Sequence, residues 1–440
     1  MKSVQSLRIV SALVLGLGAA GAAHSAGFQL LEQNASGLGN AYAGSAAVAE
    51  NASTIFYNPA GMTKLEGINL SGGFNAITPS FKFSEGSSTS PTHVGGNPVP
   101  SFMQPTLGTD NGGDAGSTAL VPNLYASWQI NDRWFAGLGI GVPFGLATEY
   151  SDSWIGRYHS RKFEIQSINV NPSVAYKLTD QLSIGAGLNW MYLDAEYQRA
   201  VPMAGVTPVG PMVFPDATAK ATLSGDGWGW NIGLLYDITP DTRVGLSYRS
   251  TVKINADGHT KVSGTPGGAN DARVVADTSV KLPDTAILSL SHNINPQWQV
   301  LADVSWTGWS SLRTLDINNA PGLPSDSLTL RFRDTWRVAL GANYHFTPQW
   351  TFKAGVAWDQ TPIRNETYRL TSLPDNDRIW ASIGAQYNFS KHGSVDIGYA
   401  HLFVKDTTIN NTTDADNKGV VYGSYDSSAD IFGVQVSYRF

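Results

Sequence analysis

The feature that most constrains this chain is a repeat of about ten residues of alternating polarity followed by a short polar turn. The repeat begins after Leu65 and continues to the last residue. Strand side chains point alternately to opposite faces, so each segment predicts a β-strand with one apolar and one polar face. In the final segment, the apolar face is formed by Phe432, Val434, Val436, Tyr438 and Phe440, and the polar face by Gly433, Gln435, Ser437 and Arg439.

Short turns alternate with long loops along this repeat. The short turns are at residues 131–133, 179–181, 239–241, 295–297, 347–349 and 390–392. The predicted long loops, rich in Gly, Ser, Asn, Asp and Pro, are residues 84–119, 148–162, 200–222, 257–277, 313–327, 364–374 and 408–427. Six short turns join twelve strands, and strands at residues 67–83 and 430–440 bring the total to fourteen. This layout, with an even number of strands, is typical of outer-membrane barrels.

Aromatic residues mark both ends of the apolar strand faces. Trp298 and Trp306 end one such face, and Trp350 and Trp358 end another. Paired girdles of this kind form where a barrel meets the two membrane surfaces. A soluble β-sandwich also alternates, but it explains neither the girdles nor the terminal Phe440. We therefore predict an all-β fold, a fourteen-stranded antiparallel transmembrane β-barrel with an N-terminal hatch, or plug, inside its lumen.

The N-terminus predicts export. Lys2 and Arg8 form a positive region ahead of an apolar run at residues 9–20, and small residues precede Ala26. Residues 1–25 are therefore expected to be a signal peptide cleaved before Ala26. The alternative, a membrane anchor, needs an apolar run of ~20 residues, and this run is shorter. Residues 26–66 do not resemble strands and are predicted to form the hatch, whereas residues 67–440 form the barrel.

Composition narrows the function classes. Charged residues make up 15% of the chain, the formal net charge is −6 and there is no Cys. No basic patch therefore favours nucleic acid, and neither disulfides nor thiolate metal sites can form. The histidines are scattered without metal-ligand spacing, and no nucleophile-elbow sequence is present. We predict no catalytic residue, no metal and no cofactor.

Several motifs, taken in order, resemble the FadL family of outer-membrane channels for long-chain fatty acids and other hydrophobic compounds. They are residues 26–30, 36–39, 41–44, 58–60, 228–233, 247–250, 296–298, 337–341 and 374–378. The resemblance implies a monomeric barrel in outer-membrane lipid and lipopolysaccharide, with an N-terminal hatch. It also implies passive uptake with lateral release through the wall. Phe440 is the expected signal for the barrel assembly machinery.

The third strand, at residues 133–148, has an unusual composition. It contains Gly139, Gly141, Pro143 and Gly145. A proline inside a strand removes a ladder hydrogen bond, and glycine often marks a bulge. Either Pro143 ends the strand at the outer rim, or the strand is kinked there and opens a gap in the wall. We favour the kink and predict a lateral gate at these residues.

A second gate element is predicted where the hatch turns into the wall. Asn58, Pro59 and Ala60 suit a turn, because proline fixes φ and asparagine bonds nearby backbone. A simple turn would explain them as well. The resemblance implies that this signature packs against the irregular third strand, so we expect it to meet the kink near Pro143.

Apolar residues on the inward face predict where a substrate binds. In the strand from Leu182, the inward series includes Met191 and Leu193, and Arg199 continues it. These apolar groups could instead pack against the hatch, and Arg199 could form a rim salt bridge. The resemblance implies that Arg199 binds a substrate carboxylate and that Phe28 borders the pocket.

The predicted outer loop at residues 200–222 is unexpectedly apolar, with Met203, Met212 and Phe214 among its side chains. An exposed apolar patch suggests a capture site, although packing between loops is an alternative. We predict passive transport of long-chain fatty acids or similar hydrophobic molecules. The alternatives are an aromatic-hydrocarbon channel of the same family, a general porin, or a barrel enzyme acting on lipids.

Overall fold

The computed structural model describes residues 27–440. The predicted signal peptide and its cleavage site lie outside these residues. No helix within residues 27–440 is long and apolar enough to cross a bilayer.

Twenty-two β-segments and a few short helical turns make up the structure. The segments are β1 Ile68–Glu85, β2 His93–Val94, β3 Asn97–Pro98, β4 Ala119–Gln129, β5 Trp134–Gly141, β6 Gly145–Glu149, β7 Lys162–Lys177, β8 Leu182–Thr207, β9 Gly210–Thr239, β10 Thr242–Arg249, β11 Val252–Ser263, β12 Ala272–Leu282, β13 Thr285–Asn293, β14 Trp298–Thr307, β15 Thr314–Asn319, β16 Asp326–Thr329, β17 Thr335–His345, β18 Trp350–Asp359, β19 Arg378–Asn388, β20 Gly393–Val404, β21 Thr407–Asn411 and β22 Val421–Arg439. The helical turns are Leu38–Asn40, Thr54–Tyr57, Pro59–Lys64, Ser101–Met103, Pro266–Gly268, Trp309–Ser311 and Ala415–Lys418.

The sheet closes on itself, because β1 pairs antiparallel with β22 from Asn69 opposite Arg439 to Glu85 opposite Gly423. Several barrel strands are interrupted and consist of two consecutive segments, such as β5 with β6 and β10 with β11. Counted in this way the barrel has 14 antiparallel strands, which confirms the predicted fold. Each predicted short turn joins two neighbouring strands.

The two faces of the wall differ as the alternation predicts. Val356 is 53% exposed on the outer face, whereas Gln435 is fully buried on the inner face. Trp336 and Trp358 on the outer face lie near one rim, and Trp298 and Trp350 lie near the other. A closed barrel of this kind leaves no sheet edge in lipid.

The predicted loop at residues 200–222 is wrong in form. It is a long β-hairpin, because β8 continues to Thr207 and β9 starts at Gly210. Pro202 does not break the pairing, since it lies at a register shift between Val201 and Met203. A bulge accepts a residue that cannot donate to the ladder, so proline is compatible with a strand here.

The hatch fills the lumen as a compact, mostly irregular segment ahead of Ile68. Its apolar side chains Leu38, Ile55 and Met62 are fully buried against the wall. Small residues allow close approach, as at Gly39, where an added Cβ would come within 2.7 Å of Gly384 Cα. The abundance of Gly and Ala in the hatch is therefore a packing requirement of the narrow lumen.

Candidate functional site

The wall is interrupted at the position of the Pro/Gly cluster. β5 ends at Gly141 and β6 begins at Gly145. Against β7, Gly141 pairs with Asn169 and Gly145 pairs with Gln166, so the third strand carries one extra residue between these pairs. The strand resumes after Pro143 rather than ending there, and the interruption is a bulge inside the wall.

The interruption separates the second and third barrel strands. β4 pairs with β5 as far as Leu124 opposite Ile140. Beyond that point β4 keeps β1 as its neighbour, but within residues 27–440 no pairing joins β4 to β6. A stretch of backbone therefore lacks its partner strand at this position in the wall.

The first residues of the hatch cover this gap. The Leu30 N–H donates to the Pro143 carbonyl at 2.8 Å, and the Gly145 N–H donates to the Phe28 carbonyl at 2.9 Å. The Gln33 side chain accepts from the Val142 N–H at 3.0 Å and donates to the Val142 carbonyl at 2.7 Å. The hatch thus satisfies backbone groups that the broken ladder leaves unpaired.

The glycines of the third strand lie directly beneath the hatch. An added Cβ at Gly141 would be 2.4 Å from Gln33 Oε1, and one at Gly145 would be 3.1 Å from Leu30 Cδ1. At Gly139 it would be 3.0 Å from the ring of Tyr125 on β4 and 3.3 Å from Cγ2 of the hatch residue Ile55. These residues leave room for the hatch at the interruption, which is the physical reason for the glycine cluster.

The signature Asn58, Pro59, Ala60 lies at a different part of the wall from the one predicted. It lies against β8 and β9, where an added Cβ at Gly233 would be 1.9 Å from Asn58 Oδ1 and one at Gly185 would be 2.4 Å from the Ala60 nitrogen. Asn58 Nδ2 also donates to the Leu234 carbonyl at 3.0 Å. The hydrogen bonds at Val142, Pro143 and Gly145 come from residues 28–33. The turn Pro59–Lys64, which the signature opens, reaches the third strand at Gly137, where an added Cβ would be 2.5 Å from Met62 Sδ.

An apolar chamber, with a cavity volume of about 50 Å³, lies beside the start of the hatch. Phe28 borders it and packs against Trp309 and Phe144, with ring centroids 4.8 Å and 5.9 Å away. The lining is Phe28, Leu146, Phe163, Ile165, Leu193, Ala195, Tyr197, Ala221, Leu223, Ala256, Thr278, Val280, Leu282, Leu312, Leu315, Ile317, Leu328, Leu330, Leu370, Ser372 and Leu373. Such a chamber suits an oily molecule and offers little to a sugar or ion.

The structure brings some predicted substrate residues together. Phe28 and Leu193 line the chamber, and Met191 belongs to the same buried apolar cluster. Most of the lining was not predicted, because it comes from strands and loops far apart in the chain. For Phe163 and Ile165 a signal was available, since both are apolar residues on the inward face of β7.

Charged residues lie next to one part of the chamber lining. Arg199 Nε is 2.7 Å from Asp326 Oδ2, and Lys418 Nζ is 2.7 Å from Asp326 Oδ1. Arg199 and Asp326 are two residues from the lining residues Tyr197 and Leu328. Two cations thus share one carboxylate. Arg199 therefore forms a salt bridge, as the alternative interpretation of this residue proposed.

A neutral histidine lies close to this charged group. His159 is buried in the loop before β7, and its Nε2 is 3.0 Å from the Gly419 carbonyl. Burial, together with the positive charge of Lys418, lowers the pKa of His159 to about 4. It therefore adds no positive charge at neutral pH.

Met203, Met212 and Phe214 lie on the long hairpin and are not part of the chamber lining. Met203 pairs with Phe214 across the hairpin. Met212 is 43% exposed, and Val209 at the tip is 87% exposed. The apolar patch predicted from the sequence is therefore accessible on this hairpin.

Polar residues that sequence reasoning missed hold the hatch. Lys353 Nζ bonds to Glu50 at 2.9 Å, to Asp396 at 3.0 Å and to the Ser36 carbonyl at 2.9 Å. Glu32 is fully buried, and its carboxylate oxygens have no hydrogen-bond partner among the described residues. Burial raises the pKa of Glu32 to about 7. Its neighbours Leu31 and Gln33 gave no local signal of this environment.

Comparisons with known proteins agree with this architecture. Residues 16–440 match the family model described as outer membrane protein transport protein (OMPP1/FadL/TodX). The chain is 31% identical over 446 residues to a long-chain fatty acid transport protein of Escherichia coli O6:H1, covering 95% of each chain. It is also 31% identical to outer membrane protein P1 of Haemophilus influenzae, covering 100% of each.

Solved structures show the same fold. A crystal structure of a Pseudomonas aeruginosa FadL homologue matches with a TM-score of 0.83 and 28% identity, covering 94% of this chain and 100% of that chain. The Pseudomonas putida toluene transporter TodX matches with a TM-score of 0.70 at 18% identity, covering 94% and 100%. At that lower identity the likeness concerns the fold alone.

Proposed function

Because this chain belongs to the outer membrane protein transport family (OMPP1/FadL/TodX), we propose that it carries long-chain fatty acids or similar hydrophobic molecules passively across the outer membrane. The observation that carries the proposal is the apolar chamber, which adjoins the hatch at Phe28. Family members are transport channels rather than enzymes, and the barrel offers no energy source. Transport therefore follows the substrate's own gradient.

Long-chain substrates are favoured over small aromatic ones. Several relatives with 31% to 32% identity are named long-chain fatty acid transport proteins, whereas the toluene transporter shares the fold at 18% identity.

The proposed route begins at the hairpin, where exposed Met212 and its neighbours capture an oily molecule. The molecule then occupies the chamber beside Phe28, lined in part by Leu193 and packed near Met191. Displacement of the hatch's first residues from Pro143 uncovers the gap between the second and third strands. Release sideways into the membrane follows, because an apolar molecule gains nothing from a watery exit.

A second part of the proposed gate is the signature Asn58, Pro59, Ala60. It holds the hatch against Gly233 and so keeps residues 28–33 in register with the interruption. In this arrangement Gly139, Gly141 and Gly145 form the surface on which the hatch slides or lifts. The gate then has an anchored end and a releasable end.

Arg199 and Lys418 are the proposed partners of a substrate carboxylate. Asp326 already bonds to both, so a fatty acid must share or replace its carboxylate. In the Asp326→Asn variant, the ratio of the affinity for fatty acid to the affinity for its methyl ester is expected to rise about tenfold, which corresponds to ~1.4 kcal/mol. Isothermal titration of the purified protein with both ligands measures the ratio. An unchanged ratio would argue against a role for Arg199 in carboxylate binding.

The deciding experiment for the overall proposal has two arms. Purified protein is extracted with organic solvent and the extract analysed by mass spectrometry, and liposomes containing the protein are tested for sugar permeability. We expect a bound fatty acid or comparable hydrophobic molecule and low sugar permeability. Rapid sugar flux would indicate a general porin, and release of fatty acid from phospholipid would indicate an enzyme.

We also propose that the chain acts as a monomer surrounded by outer-membrane lipid. Phe440 is 67% exposed at the end of the last strand, where an assembly factor can reach it. Cross-linking in membranes tests the first point, and the insertion rate of a chain lacking Phe440 tests the second.

A further inference from the structure

Three arginines cluster at the outer rim of the barrel. The segments that carry them also form part of the chamber wall, and the arginines lie on its solvent-exposed side. They line a cleft of about 690 Å³ that is open to solvent, formed by Arg313, Thr314, Arg331, Phe332, Arg364 and Tyr368. All three arginines are exposed, whereas their neighbours Leu312 and Leu330 are buried and line the chamber. The lining of this cleft carries three positive charges and no carboxylate.

The backbone holds these like charges together. The Arg313 carbonyl accepts from the Arg331 N–H at 2.8 Å, and Arg364 Nε donates to the Arg331 carbonyl at 2.7 Å. Arg331 has φ +47°, a left-handed conformation that is uncommon for a residue with a side chain. Strain of this kind persists only where surrounding contacts impose it, and it often accompanies binding sites.

The positive charge of the cleft has no internal partner. Arg333 close by pairs with Asp377 at 3.6 Å, but within residues 27–440 no ion pair is formed by Arg313, Arg331 or Arg364. The Arg331 guanidinium is 5.0 Å from the centre of the Tyr368 ring and donates to its hydroxyl at 2.8 Å. This contact orients one guanidinium and leaves the charge of the cluster unneutralised.

The cleft lies just outside the outer aromatic girdle. Trp306 and Trp336 pair on neighbouring strands β14 and β17, and the arginines lie in the segments beyond these residues. In an outer membrane, the plane above such a girdle contains the phosphate groups of the outer-leaflet glycolipid. Guanidinium forks match phosphate oxygens in pairs, and several forks suit a group of more than one negative charge.

We propose that Arg313, Arg331 and Arg364 form a binding site for the phosphates of lipopolysaccharide. The site is distinct from the transport route, because the three arginines are exposed and none of them lines the chamber. A monocarboxylate is a poorer match, since one guanidinium already satisfies both of its oxygens.

Native mass spectrometry of the purified protein with bisphosphorylated lipid A tests this site, with dephosphorylated lipid A as the second ligand. We expect the variant Arg313→Gln/Arg331→Gln/Arg364→Gln to bind bisphosphorylated lipid A at least ~10-fold more weakly. The matched control is Arg273→Gln, an exposed arginine on β12 outside the cleft, which is expected to bind like the unmodified protein. Equal binding by the triple variant, or equal binding of dephosphorylated lipid A, would overturn the proposal.

A second measurement separates the site from transport. Uptake of a fluorescent fatty acid by cells expressing the triple variant is expected to match that of the control variant, and the variant must retain its folded mobility on gels. Reduced uptake with unchanged lipid A binding would assign the cleft to carboxylate capture and refute the phosphate site.

Discussion

Gln33 is the residue on which the closure of the lateral gap depends most directly. Its side chain makes both hydrogen bonds to Val142, the residue before Pro143, and it is fully buried. In Gln33→Leu the Val142 N–H and C=O lose these partners while remaining in a buried position. Taking about 2 kcal/mol for each unsatisfied group, the two groups cost ~4 kcal/mol, and the leucine's own burial offsets up to ~2 kcal/mol of this, so the docked hatch is expected to lose about 2–4 kcal/mol.

A loss of this size shifts the equilibrium between docked and displaced hatch about 30- to 1,000-fold. Hydrogen–deuterium exchange of peptides covering Val142 is expected to accelerate accordingly, and uptake of fluorescent fatty acid to rise as the gap opens more often. The control is Gln299→Leu, because Gln299 bonds to Ser291 and Asn343 within the wall and away from the gap. If exchange at Val142 changed less than twofold, or changed equally in the control, the hatch would not be what closes the gap.

Three other changes test the remaining parts of the site. Gly233→Ala places a Cβ against Asn58 Oδ1 and should loosen the hatch, seen as faster proteolysis of the hatch in the folded barrel; an unchanged digest would contradict this. Ala221→Trp shortens the chamber and should weaken binding of long-chain fatty acids by at least ~10-fold while shorter chains still bind; equal loss for all lengths would indicate general damage. Burial raises the pKa of Glu32 to about 7 in the docked hatch, so the docked state keeps a proton that the displaced state, with an ordinary carboxyl pKa, has already released. Docking should therefore weaken by up to ~3 kcal/mol as pH rises from about 5 to above 7. Hydrogen exchange of the hatch at pH 5 and 8 measures this, and Glu32→Gln should remove the dependence.

Much of the wall could be predicted because its pattern is local. Alternation, short turns and girdles are each visible within a few residues, and Pro143 with its glycines marks the interruption directly. The hairpin was mistaken for a loop because proline and glycine usually end strands. Here a register shift at Pro202 and a turn at Gly210 accommodate them.

The contacts that define the site could not be predicted, because they join residues far apart in the chain. Gln33 bonds to Val142 across 109 positions, and Arg199 bonds to Asp326 across 127. The local sequence around Asn58 gives no indication that the glycines opposite it are Gly185 and Gly233 rather than those of the third strand. These choices are made by how the closed barrel positions its strands.

The position of the hatch inside a closed wall has a consequence for biogenesis. Its contacts reach β5, β8 and β9 on one side and Gly384 of β19 on another. A segment held by opposite sides of a cylinder reaches all of its contacts only once the cylinder has been closed by β1 and β22. We therefore expect docking of the hatch and closure of the barrel to be coupled during assembly. A protease should then cut this segment mainly in chains whose barrel has not closed.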